Sequence, residues 1–116
     1  MKNLNIFQKI RNFLMWKFKK FRYRTIFIDD NPKPESIRKD RIYIVGGKDY
    51  VKWAYFKCPD NCGDIIMLSL SENMNPSWKI KIDKYERITL FPSVDKLDGC
   101  KSHFWLSNGS IKWAVS

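Results

Sequence analysis

The sequence predicts a small, mainly antiparallel β domain with zinc knuckles and an N-terminal amphipathic basic helix. Three observations predict it: short apolar runs bounded by turn residues, a helix-period stripe confined to the amino end, and cysteines gathered in two clusters. The chain has 116 residues, of which 44% are apolar and 16% aromatic, enough for one packed core and too little for two. A disordered chain is excluded. The longest apolar runs, such as Phe13-Leu14-Met15-Trp16, fall far short of the roughly 20 residues needed to cross a bilayer. The amino end also lacks the apolar core of a secretory signal, so a cytoplasmic location is expected.

The net charge of +10 is unevenly placed. Up to Ile28 there are eight basic residues and no acidic one, leaving 14 basic against 12 acidic in the remainder. This divides the chain into a basic helical arm, 1–24, and a nearly neutral zinc-binding β domain, 25–116. Within the arm, Phe7, Ile10, Leu14, Phe18 and Phe21 recur at steps of three and four, which predicts a helix from about Asn3 to Tyr23. Such a stripe covers the chain's own sheet or, with Lys9, Arg11, Lys17, Lys19, Lys20, Arg22 and Arg24 around it, contacts an anionic membrane surface, nucleic acid or a partner protein.

Thr25 to Ile28 reads as extended, and Pro32 and Pro34 then force a loop, with a turn of helix over Ser36 to Lys39. Strands follow at Arg41–Val45, Val51–Lys57, Ile65–Leu70, Ser77–Ile82 and Arg87–Phe91. In Trp78-Lys79-Ile80-Lys81-Ile82 the apolar residues share one face and the lysines the other, as in a half-buried strand. Asn108-Gly109 between Phe104–Ser107 and Ser110–Trp113 is the preferred two-residue hairpin turn, because both positions need positive φ. No Walker-type or dinucleotide-binding glycine pattern is present, so no small-molecule cofactor is indicated.

All three cysteines and the only histidine fall in Cys58-x3-Cys62 and Cys100-x2-His103. Two close pairs from distant parts of the chain are the simplest supply of four soft or borderline ligands for tetrahedral zinc. Cys58, Cys62, Cys100 and His103 are therefore the expected ligands; an odd cysteine count argues against a disulfide framework. Four protein ligands make a closed, structural site. Were one of them not a ligand, Asp60, Asp64 or Ser102 is close enough in sequence to serve as ligand, base or nucleophile. Ser102 and His103 would point to opposite faces of a strand, a poor nucleophile and base pair. Ser93 with His103 would make a serine-hydrolase pair, at the cost of a zinc ligand.

Around these knuckles, Trp53-Ala54, Phe56-Lys57-Cys58-Pro59, Cys62-Gly63, Leu90-Phe91-Pro92-Ser93-Val94 and Gly99-Cys100-Lys101-Ser102-His103-Phe104-Trp105 together resemble the bacterial family catalogued as domain of unknown function 6527. The resemblance runs from Ile42 to about Trp113. In that family's first knuckle the pattern often reads Cys-Pro-Cys-Gly-Cys-Gly; here Asp60 and Asn61 replace the middle Cys-Gly. The resemblance implies a companion of bacterial ubiquitin-like conjugation operons, with a ubiquitin-like protein or its conjugation enzymes as partners and a peptidase role on the modifier. The alternative is a non-catalytic, zinc-stapled interaction module whose basic helix makes the contact.

Overall fold

The structure, a computed structural model, describes residues 5–17, 22–47, 49–97 and 99–114. The chain opens with helix α1 (Ile6–Lys17) and continues through strands β1 (Arg24–Ile28), β2 (Arg41–Gly46), β3 (Val51–Lys57), β4 (Ile65–Ser69), β5 (Lys79–Ile82), β6 (Ile88–Phe91), β7 (Val94–Asp95), β8 (His103–Ser107) and β9 (Ser110–Trp113). These make a four-stranded sheet β1-β2-β3-β4, a β5-β6 pair and a three-stranded sheet β7-β8-β9. All pairings are antiparallel except β1 with β2, which are parallel. The long excursion between them, pinned where Tyr43 Oη meets the Ser36 carbonyl (3.2 Å), returns the chain to the same end, as a tight hairpin cannot. The helical turn in this loop is a 3-10 turn at Pro34–Ser36, earlier than the sequence predicts, because Pro34 is preorganised for a first helical position.

Alternation places the core. Ala54 and Phe56 of β3, Ile66 and Leu68 of β4, Ile88 and Leu90 of β6, and Phe104 and Leu106 of β8 point inward. On β5, Ile80 and Ile82 lie against this core and Lys79 and Lys81 face outward, as the sequence predicts. Phe56 joins the two larger sheets, meeting Tyr23 edge-on at 5.7 Å and Phe104 at 6.2 Å. At the hairpin turn Asn108 and Gly109 both have positive φ (49° and 76°). The Gly109 carbonyl accepts from the Arg22 and Tyr23 amides, and its N–H donates to Ile88, so the turn is built into the core's edge.

Tyr23 is fully buried, and its hydroxyl donates to the Lys57 carbonyl (3.2 Å). Burial pushes its phenol up to about 12. An unfolded phenol ionises near 10, so its contribution to stability is complete below about pH 10 and is lost as the pH rises towards 12. Tyr23→Phe should therefore cost about 1 kcal/mol at neutral pH and flatten the alkaline fall in stability, as read by urea unfolding at several pH values. An equally steep fall in the variant would assign it to other groups.

Helix α1 is capped by a reciprocal box: Asn5 Oδ1 accepts from the Gln8 amide (2.8 Å) and Gln8 Oε1 from the Asn5 amide (3.0 Å). Its orientation answers the question left open by the stripe. The buried residue of the helix is Asn12, 2% exposed, whereas Ile6, Phe7, Ile10 and Leu14 are open to solvent. Among the described residues the apolar stripe does not cover the chain's own sheets. The helix does not run on to Tyr23 as the sequence predicts: Arg22 and Tyr23 are non-helical, because their amides donate to the Gly109 carbonyl and Tyr23 enters the core, while residues 3 and 18–21, with Phe18, Lys19, Lys20 and Phe21, lie outside the described residues. Among the described residues no helix is long and apolar enough to cross a membrane.

Candidate active site

The β6–β7 junction and β8 form the site. Val94 is buried, so its neighbours Ser93 and Asp95 are turned towards the opposite face. Ser102, just before β8, and Phe104 and Leu106 on it are buried, which turns His103 and Trp105 outward. The register pairs Val94 with Phe104 and Asp95 with His103, so Ser93 sits diagonally across from His103 on one face. There the Ser93 Oγ and His103 Nε2 are 3.0 Å apart, a hydrogen bond. The Ser93 carbonyl accepts from the Trp78 indole (3.3 Å), which fixes the backbone behind the hydroxyl. The Trp105 ring lies 5.6 Å from the imidazole and is half exposed.

The cysteines gather on the other side of β8. Cys58, Cys62 and Cys100, with Asp60, offer ligand atoms all within 4.8 Å of one another, a group that can hold a metal ion. Cys100 Sγ lies 3.4 Å from that of Cys58 and 3.1 Å from that of Cys62. Both turns use left-handed backbone, at Asn61 and Gly63 in the first and Gly99 and Lys101 in the second, which folds each knuckle sharply. Asp60 accepts from the Ser102 hydroxyl (2.7 Å), the Cys58 thiol (3.1 Å) and the Cys62 amide (2.9 Å). Hydrogen bonds from Cys100, Ser102 and the other two cysteines hold its carboxyl well below the usual carboxylate range. The Ser102 contact draws the Cys100 thiol down, whereas burial pushes that of Cys58 up. Beside the cluster, Lys96 pairs with Asp64.

Three of the four expected ligands thus converge, with Asp60 beside them, while His103 reaches Ser93 instead. The reason is strand geometry: Ser102 and His103 are adjacent on extended chain, and Ser102 occupies the cysteine side. The same alternation that excludes a Ser102–His103 pair separates His103 from the thiols. From sequence the Ser93–His103 pair stood only as an alternative that takes a zinc ligand away, because the Cys-x2-His spacing favours His103 as a ligand. Of the basic residues, Arg11 donates to the Lys84 carbonyl (3.2 Å), Arg22 to that of Pro59 (3.1 Å), and Arg24 stacks on Trp16; Lys9 and Lys17 are exposed.

Fold and site define a small β domain that carries a serine–histidine pair on one face of a strand and a thiol–carboxylate knot on the other. No curated protein matches the sequence, and no solved structure matches the fold. The chain belongs to the BubE family, described as bacterial ubiquitination-like system serine protease, whose family model matches residues 27–114. It is thereby a component of a ubiquitin-like system.

Proposed function

We propose that this protein is a serine peptidase that cleaves an amide bond at the end of a ubiquitin-like modifier. The observation that carries the reading is the 3.0 Å contact between Ser93 Oγ and His103 Nε2, in a chain of this family. His103 Nε2 takes the hydroxyl proton as Ser93 Oγ attacks the carbonyl carbon. The imidazolium then returns that proton to the departing amine, leaving an acyl ester on Ser93, and a water deprotonated by the same nitrogen hydrolyses it. Trp105, beside the imidazole and half exposed, supplies an apolar wall for the residues next to the scissile bond.

Asp95 acts here as a positioning residue. It stands directly opposite His103 in the β7–β8 register, on the same face, where cross-strand side chains are within reach of one another. Among the described residues no hydrogen bond or ion pair joins the two side chains, so Asp95 acts on the ring through space. Asp95→Asn is expected to lower kcat severalfold with KM little changed. An unchanged kcat would reduce Asp95 to a surface residue.

Cys58, Cys62, Cys100 and Asp60 would hold zinc. Tetrahedral zinc at about 2.3 Å from sulfur sets its sulfurs about 3.8 Å apart, so the observed 3.1 and 3.4 Å need only small side-chain rotations to admit it. With four protein ligands such an ion supplies structural reinforcement. The direct test is covalent labelling by a fluorophosphonate, followed by peptide mapping and cleavage of a modifier extended at its carboxyl end. A phosphonyl adduct on Ser93 and release of the extension are expected; neither occurring in zinc-replete protein would leave a non-catalytic interaction module.

A further inference from the structure

We propose that helix α1 docks this protein on an anionic lipid surface. The helix is mounted with its polar side inward. Gln8, Asn12 and Trp16, spaced at four, form the side turned to the body, where Asn12 Nδ2 donates to the Lys84 carbonyl (3.3 Å). Trp16 is stacked against Arg24 and Arg41, at 5.5 and 5.3 Å, and Arg11 lies over Tyr85 at 4.7 Å. At 3.6 residues per turn, Ile6, Ile10 and Leu14 fall on the opposite side, flanked by Phe7 and Phe13. These five are 63, 49, 43, 80 and 38% exposed, in that order.

Charge selects the occupant. The segment up to Ile28 carries eight basic residues and no acidic one. On the helix itself, Lys9 and Lys17 are both exposed and fall beside the stripe, Lys9 at its edge and Lys17 in the last turn. A nucleic acid would use the cations and leave the aromatic and aliphatic stripe in water. A neutral protein groove would use the stripe and leave the cations unmatched. An anionic bilayer interface takes both, the stripe entering the acyl boundary while the cations meet phosphates.

The test is co-sedimentation of the full chain with large unilamellar vesicles of phosphatidylglycerol and phosphatidylcholine, or of phosphatidylcholine alone. Binding to the anionic vesicles, weakened by salt and about tenfold or more by Ile10→Glu with Leu14→Glu, is expected. Both positions are solvent-facing, so the variant keeps its circular dichroism spectrum. Leu97→Glu, at a site 84% exposed on the body, should bind as the parent does. Equal binding to both vesicle types, undiminished binding of the helix variant, or no binding would overturn the proposal. So would a parent dimer that the helix variant converts to monomer, since the stripe would then be covered by a second copy. Cleavage of a modifier in solution is a separate readout, and its failure leaves this test intact.

Discussion

Ser93→Ala is expected to lower kcat/KM for release of a ubiquitin-like modifier by about a thousandfold or more, with the domain's stability nearly unchanged. The variant loses a single hydroxyl from a half-buried position, and the anchoring bond from Trp78 goes to the backbone carbonyl, which alanine retains. His103→Ala should fall to a similar level, and the double variant little further, because nucleophile and base act as one unit through the 3.0 Å contact. Steady-state kinetics with thermal unfolding of each variant separates lost chemistry from lost fold. Parent-like turnover in Ser93→Ala would overturn the mechanism.

Metal removal should have the larger effect on stability. A structural zinc ion is worth about 10 to 16 kcal/mol of apparent binding energy, comparable with the roughly 5 to 15 kcal/mol that stabilises a small domain. Cys100→Ser, or chelation of the parent protein, should therefore leave the body unfolded or molten. Zinc content and dispersed amide resonances would vanish together. The ligand set is tested alongside: Asp60→Ala should weaken zinc retention, whereas His103→Ala should keep full stoichiometry while losing turnover. A well-dispersed spectrum of zinc-free Cys100→Ser would show that packing alone sustains the fold.

Most of the strands were legible because their alternation and turn chemistry are local. Val51–Lys57 and the Asn108-Gly109 hairpin sit where the pattern puts them. The two-residue β7 was not legible, since a strand that short has no period to detect; it exists because β8 pairs with it. The parallel β1–β2 pairing was hidden for a related reason, being set by how a proline-rich loop returns rather than by either strand. At the site, clustering marked the three cysteines, but spacing alone could not say which face of β8 each neighbour takes. That depended on Phe104 and Leu106 packing inward, a tertiary fact that turns His103 out towards Ser93. The amphipathic period of the helix was likewise readable, while its orientation depends on Asn12 reaching Lys84 across 72 residues.

The knot and the serine–histidine pair differ in how far apart along the chain their members lie. Ser93 and His103 are ten residues apart, whereas Cys58 and Cys100 are separated by 42. Closing the longer loop costs about 3 kcal/mol of chain entropy, so during folding it must wait for packing to bring the ends together. The ten-residue span from Ser93 to His103, closed by the β7–β8 pairing, needs no such wait. Hydroxyl and imidazole can therefore meet early on a local scaffold and be locked late, when the distant thiols close behind Ser102. In refolding experiments, β7–β8 pairing should appear before zinc is taken up, and acylation competence only afterwards.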